Sequence, residues 1–281
     1  MPITPTDQLI YEVRNHTAYV TMNRPESMNA LSRELQNAIA EAFLEADADP
    51  EVFAVVLTGT GGRAFCAGGD LKDMAGRIEA GGSIAGGPAT ESSQTLRAHP
   101  NVAKPGNLRG MDEVNACSKP VIAAIDGYAL GGGLELALYS DIRLATRKSV
   151  FALPEPKRHL LSGPAYVHLS RMIPLGEAMK MELTGARLDS ERAYQIGLIQ
   201  GLFDDREALD AGVEAVLADL RENSPLAVQF LKRIIKDGRD MTVEQHWKFS
   251  EMYAYTLEHT EDALEGPKAF AEKRQPVWKM R

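Results

Sequence analysis

Apolar and polar residues alternate at the start of the chain. Leu9-Ile10-Tyr11-Glu12-Val13 is followed by a polar turn at Asn15-His16 and then by Ala18-Tyr19-Val20-Thr21-Met22. Period two is the spacing of a half-buried strand, so two such runs across a short turn predict a hairpin. After Asn23-Arg24-Pro25-Glu26-Ser27-Met28-Asn29 the period changes. Apolar residues recur at Leu31, Leu35, Ala38, Ile39, Ala42 and Phe43, which is helical spacing, with Asn29 expected at the N-cap and Pro50 as the stop. The unbroken apolar run 52–58 then predicts a buried strand. Strand, helix and strand in that order imply a right-handed crossover and a partly parallel sheet.

A second unit of the same kind follows. A helix is expected around 108–116, a strand over 121–125, a helix opening at Gly131-Gly132-Gly133, and another strand over 142–146. The units recur without a strict sequence period, which predicts a layered or spiral α/β fold over residues 1–203. From 204 to 281 the periodicity is helical throughout, over 209–220, 225–236, 243–259 and 261–274. Such a tail suits packing against neighbouring subunits. Between Met74 and Gly110 the composition shifts to Gly81-Gly82-Ser83-Ile84-Ala85-Gly86-Gly87-Pro88 and a polar stretch. Residues 75–107 are expected to form either a loop over the site or a stretch without order.

Composition narrows the class. A hydrophobic content of 44% with 25% charged residues is that of an ordinary globular chain. A net charge of -8 argues against a nucleic-acid partner, which requires a basic face to displace counterions. The start has no basic, then apolar, leader pattern, and no apolar run approaches membrane-spanning length, so the expected setting is the cytoplasm, away from membranes. Cys66 and Cys117 lack metal-ligand spacing, so neither a metal site nor a disulfide framework is expected. Cys66 as a nucleophile has no activating histidine near it in sequence.

Candidate chemistry is concentrated in three tracts. In Ala129-Leu130-Gly131-Gly132-Gly133-Leu134-Glu135 a glycine triplet opens a helix, leaving bare N–H groups at a terminus suited to an anion or a developing oxyanion. Glu135 falls in the first turn, where the helix dipole favours the ionised carboxylate and a general-base role. Glu155, between Pro154 and Pro156, reads alone as a loop carboxylate, but as a partner to Glu135 it supplies the second member of an acid/base pair. In Gly59-Thr60-Gly61-Gly62-Arg63-Ala64-Phe65-Cys66-Ala67-Gly68-Gly69-Asp70 the glycine spacing departs from the dinucleotide fingerprint. There Asp70 is expected to cap the next helix, and the Ala67 N–H remains a functional candidate.

Taken together these residues resemble the enoyl-CoA hydratase (crotonase) superfamily. The likeness runs through Asn23-Arg24-Pro25 with Asn29-Ala30-Leu31, Ala64 to Asp70, Lys119-Pro120-Val121-Ile122-Ala123, the glycine triplet with Glu135, Leu183-Thr184-Gly185, and Glu265-Gly266-Pro267-Lys268-Ala269-Phe270. The resemblance implies a spiral core of β-β-α units, a helical C-terminal region, and homotrimers, often paired into hexamers. It implies an acyl-coenzyme A substrate with no separate cofactor, a thioester carbonyl held by the N–H groups of Ala67 and Gly132, and catalysis by Glu135 and Glu155. Glu135 would deprotonate the water that adds to the β-carbon, and Glu155 would protonate the α-carbon. By the same carry-over Ser27, Met28, Ala30, Ala67, Gly68, Gly69, Asp70, Leu71 and Gly132 line the coenzyme A path, with Phe270 and Lys273 contributed by a neighbouring subunit.

The implied activity is hydration of a 2-enoyl-CoA to the 3-hydroxyacyl-CoA, in fatty-acid or related acyl-CoA metabolism. An isomerase, a thioester hydrolase, a hydratase-lyase and a non-catalytic coenzyme A binding protein stay open beside it. Two segments depart from the family pattern: the long glycine-rich stretch after Met74, and Pro156-Lys157-Arg158-His159-Leu160-Leu161-Ser162-Gly163-Pro164-Ala165-Tyr166, where a glycine-rich helix start is usual. Both border the acyl pocket. His159 is a further candidate for assisting catalysis.

Overall fold

A computed structural model describes residues 6–79, 110–163 and 165–279. The segment expected to be a loop or disordered, 75–107, lies largely outside the described residues. The chain forms two compact units, one of 6–117 with Val121–Val213 and one of Ser118–Pro120 with 214–279.

The first unit holds two sheets. The larger takes strands β1 (Leu9–Arg14), β2 (Thr17–Met22), β3 (Ala54–Gly59), β5 (Val121–Ile125), β7 (Ile142–Thr146) and β10 (Gly201–Phe203), in that spatial order. The smaller takes β4 (Ala64–Cys66), β6 (Tyr128–Leu130), β8 (Val150–Ala152) and β9 (Leu188–Asp189). The pairs β1–β2 and β8–β9 are antiparallel and the remaining ladders are parallel. Successive strand pairs β3/β4, β5/β6 and β7/β8 each give one strand to either sheet, so the chain winds as a spiral of α/β repeats.

The sequence pattern explains the layering. Strands β3 and β5 are buried along their whole length because a parallel strand is covered on both faces, which is why they read as continuous apolar runs. Phe43, Phe65 and Phe151 are among the largest fully buried side chains, each worth about 1.5–3 kcal/mol of apolar transfer. The first helix, α1, spans Arg33–Ala48 and is capped by Ser32, whose Oγ accepts the Leu35 N–H at 3.1 Å. Asn29 is therefore not the cap. It adopts a left-handed backbone with φ 55°, and its fully buried amide accepts the Arg24 N–H and donates to Thr60 and Ala64 oxygens at 3.1 and 2.8 Å. Asn29 thus ties the 24–31 loop to the glycine-rich turn after β3.

In the second unit, helices Pro225–Gly238, Val243–Glu258 and Asp262–Glu272 succeed one another, close to the predicted periodic runs. The Lys232 ammonium donates to the Lys119 carbonyl at 2.7 Å within this unit. Trp247, Met252, Tyr255, Leu264 and Phe270 are all more than three-fifths exposed on these helices.

Candidate active site

The helix Gly132–Tyr139 carries Glu135 into the interior of the first unit, with the carboxylate only 4% exposed. The far end of this helix is held by Arg143, whose buried guanidinium donates to the Ser140 and Leu198 carbonyl oxygens at 2.7 Å each. The near end packs backbone to backbone on the β4 turn. A Cβ on Gly133 would collide with the Cys66 carbonyl, and one on Gly68 would lie 2.7 Å from the Leu130 oxygen and 3.2 Å from the Gly132 nitrogen. Only glycines allow the two turns to approach this closely.

That approach decides which amides are available. The Ala67 N–H donates to the Met28 carbonyl at 3.0 Å, so it is committed within the fold and is not the free donor the sequence suggested. A parallel bridge between Leu31 and Gly69 uses the Gly68 oxygen and the Asp70 nitrogen, at 2.8 and 3.2 Å, which turns the Gly69 N–H to the other side. Among the described residues the N–H groups of Gly69 and Gly132 have no hydrogen-bond acceptor. A Cβ on Gly132 would stand 3.7 Å from the Gly69 nitrogen, and the Leu31 and Met111 side-chain tips border the same space at 3.1 Å. The pair of free amides is therefore Gly69 with Gly132.

Glu155 begins a short 3-10 turn, Glu155–Arg158, after β8. Gly131 has φ 53°, and a Cβ there would collide with Glu155 Oε1, so the Glu155 carboxylate rests directly on the glycine triplet. Among the described residues Glu135 Oε1 and Glu155 Oε2 are buried without hydrogen-bond partners. Glu135 is pushed up to about 7, first by burial and then by the charges of Glu155 and Glu182, while a hydrogen bond from the Gly163 amide pulls the other way. The expectation that the helix dipole keeps Glu135 readily ionised is corrected, because desolvation outweighs it here. Glu155 is also raised, by burial foremost; its own backbone amide and Arg158 oppose this, and Glu182 adds to it.

Glu182, on the helix Leu175–Thr184, is the member of this group that sequence reasoning missed. Its run reads as an amphipathic helix in which a glutamate is ordinarily solvated. Burial raises its carboxyl, the Ser162 hydroxyl donates to its Oε2 at 2.5 Å, and Oε1 is buried without a partner among the described residues.

The other predicted residues fall as follows. Ser27, Met28 and Ala30 form the loop laid against 66–70, with Met28 in the left-handed region at φ 52°. Asp70 caps the helix Leu71–Glu79, accepting the Lys72 and Asp73 N–H groups, and pairs with Arg24 at 3.1 Å. Its carboxyl is lowered by those bonds and by Arg24, against burial, the largest single influence. Leu71 is half exposed. Phe270 and Lys273 belong to the second unit and are both exposed. Cys66 is fully buried with its thiol pushed up to about 12 by burial, which removes it as a nucleophile. His159 is exposed at φ 58° and closes the Glu155–Arg158 turn.

A cavity of about 350 Å³ opens beside that turn, lined by Leu130, Ala152, Pro154, Lys157, Arg158, Gly185 and Arg187. Neither Glu135 nor Glu155 lines it, so it is distinct from the glutamate cluster. Among the described residues no group of three or more His, Cys, Asp or Glu side chains is arranged to hold a metal ion, and no helix is long and apolar enough to cross a membrane.

Two sheets wound from α/β repeats, with free amides and buried glutamates at one glycine-rich helix start, define the fold and its candidate site. The sequence pattern of the enoyl-CoA hydratase/isomerase family matches residues 12–281, and the chain belongs to that family. Carnitinyl-CoA dehydratase from Salmonella agona (strain SL483) is 36% identical over 268 residues, covering 93% of this chain and 94% of that protein. An enoyl-CoA hydratase structure from Mycobacterium tuberculosis H37Rv superposes with a TM-score of 0.83 at 34% identity, covering 98% of this chain and 100% of the other. One from Bacillus anthracis gives 0.83 at 28% identity, with the same coverage.

Proposed function

We propose that this protein is a hydro-lyase that interconverts a 2-enoyl-CoA and its 3-hydroxyacyl-CoA by adding or removing water, with no cofactor beyond the coenzyme A of the substrate. The observation that carries the reading is the meeting of Glu135 and Glu155 at the glycine triplet, beside the free N–H groups of Gly69 and Gly132.

In the hydration direction the thioester oxygen accepts from the Gly69 and Gly132 amides. That draws electron density from the conjugated double bond and leaves the β-carbon electrophilic. The ionised Glu135 takes a proton from a water molecule as its oxygen bonds to the β-carbon, and the enolate charge appears on the oxygen between the two amides. Protonated Glu155 then gives its proton to the α-carbon. One water is consumed and the double bond is lost; Glu135 ends protonated and Glu155 ionised, and return of one proton from Glu135 to Glu155, directly or through solvent, resets the pair. Dehydration retraces the steps. Glu135 at about 7 suits this work, because a base with that value is partly ionised near neutral pH and still takes up a proton readily.

Dehydration of a polar acyl group is favoured by the name of the Salmonella relatives, carnitinyl-CoA dehydratases. The buried carboxylates of Glu135, Glu155 and Glu182 make the surroundings unlike a purely hydrocarbon pocket. Loss of absorbance at the conjugated thioester, followed with crotonyl-CoA and with longer, aromatic and trimethylammonio-substituted 2-enoyl-CoAs, tests both the reaction and the acyl class. If no enoyl-CoA in the series gains water, the reading is wrong.

The loop of Ser27, Met28 and Ala30 and the turn of Gly68, Gly69 and Asp70 form the proposed coenzyme A path in the first unit. Phe270 and Lys273 are proposed to reach the coenzyme of a neighbouring subunit. The exposed apolar residues of the C-terminal helices support self-association into trimers or hexamers, which light scattering after gel filtration distinguishes. A cytoplasmic setting accords with the acyl-CoA substrate.

A further inference from the structure

We infer that Arg24 is a positioning residue for the Gly69 amide, aiming that N–H at the thioester oxygen by means of one guanidinium nitrogen wedged between Ala30 and Asp70; this deepens the hydro-lyase reading and rests on it. Arg24 Nη1 donates to the Ala30 carbonyl at 2.5 Å and to Asp70 Oδ2 at 3.1 Å. Ala30 precedes Leu31 and Asp70 follows Gly69, so a single nitrogen grips both chains one residue away from the Leu31–Gly69 bridge. It acts as a strut.

The turn it supports is soft. Gly68 and Gly69 have no Cβ to restrict rotation, and Gly68 already stands at φ 92°. The Leu31 N–H reaches the Gly68 oxygen at 2.8 Å, which pins one end of the peptide whose N–H belongs to Gly69. The following peptide is held more loosely, since the Asp70 N–H meets the Leu31 oxygen only at 3.2 Å. The Asp70 side chain supplies the missing restraint. Its Oδ1 accepts the Lys72 and Asp73 N–H groups at 3.1 and 3.3 Å while its Oδ2 meets Arg24, so one carboxylate joins the helix start, the turn and the 24–31 loop. The two side chains are only 16% and 15% exposed, and a charge-assisted hydrogen bond gains strength in such surroundings.

The loop has ties of its own. Met28 accepts the Ala67 N–H at 3.0 Å, and the Asn29 amide donates to the Thr60 and Ala64 oxygens. Loss of Arg24 therefore displaces the Gly69 amide more than it displaces the proposed coenzyme A path, and the effect belongs in kcat rather than KM. A donor whose removal costs about 10²–10³ in rate costs a part of that when it is misaimed.

Three variants test this. Arg24→Met keeps the apolar stem and removes the donors. Asp70→Asn keeps a helix cap and breaks the pair, so it serves where Arg24→Met fails to fold. Arg24→Lys is the rescue, because a single nitrogen serves both acceptors and an ammonium carries three donors. With the 2-enoyl-CoA that wild type hydrates fastest, the first two are expected to lower kcat about 30-fold while KM moves less than about threefold, and Arg24→Lys to return kcat to within about threefold of wild type. A merely structural residue would lower Tm and leave the kcat of the folded protein unchanged.

A second measurement needs no substrate. In protein labelled with 15N-glycine, the Gly69 amide resonance is identified by its loss in Gly69→Ala, where the added Cβ meets only the flexible tip of Met74. That resonance should shift in Arg24→Met and Asp70→Asn and move back in Arg24→Lys. A Gly69 resonance that stays in place in both disrupting variants overturns the proposal, as does a loss carried wholly by KM. If wild type hydrates no enoyl-CoA, the hydro-lyase reading falls while the glycine resonance still decides the role of Arg24.

Discussion

Glutamine in place of Glu135 keeps the shape of the side chain and removes its titration. Burial, with the charges of Glu155 and Glu182, carries this carboxyl from its ordinary 4.5 to about 7 in the folded protein. In the unfolded chain the group returns to its ordinary value. The folded state therefore holds the proton more tightly, and its advantage is complete below 4.5 and lost as the pH rises through about 7. Above both values the difference corresponds to about 3 kcal/mol against the fold. Glutamine imitates the neutral acid at every pH, so Glu135→Gln should be more stable than wild type at pH 8, by up to that amount, and nearly equal to it at pH 4.5. For a chain of this size the gain at pH 8 is several degrees in Tm. Denaturant unfolding of both proteins at pH 5, 6, 7 and 8 reads the trend directly. Turnover should fall on the order of 10²–10⁴ in the same variant, the usual loss for a general base. A stability difference that stays flat between pH 5 and 8 would refute the claim that Glu135 is a desolvated, proton-retaining carboxyl.

Other outcomes follow from the same geometry. Gly132→Ala places a methyl between the Gly69 and Gly132 amides, near only the flexible tips of Leu31 and Met111, so kcat should fall about 10²-fold with little change in Tm. Gly133→Ala meets the rigid Cys66 carbonyl instead, and should cost several kcal/mol and abolish soluble expression or lower Tm sharply. Asn29→Ala strips three hydrogen bonds from a fully buried site and is expected to destabilise by about 3 kcal/mol or more in urea titration. Cys66 should resist thiol reagents in native buffer and react only on unfolding, because its thiol is buried and raised to about 12.

Residue order and period were enough to foresee much of this protein. Unbroken apolar runs marked β3 and β5 because parallel strands are buried on both faces. The 3.6-residue period marked the C-terminal helices because only one stripe of each meets the rest of its unit. The glycine triplet followed by Glu135 announced a helix start that something must approach closely, and Glu155 gained meaning as its partner. Tertiary structure decided the rest. The free amide belongs to Gly69, since hydrogen-bond direction depends on Leu31 pairing across the turn and Met28 capturing the Ala67 N–H, contacts made by residues some 40 positions away. The same is true of Ser32 rather than Asn29 as the cap, and of the balance at Glu135, where the helix dipole is a local property and the larger desolvation is not. Glu182 was invisible in sequence for one reason: a glutamate on an amphipathic helix looks alike whether its face meets water or two other carboxylates, and only the folded chain brings those carboxylates to it.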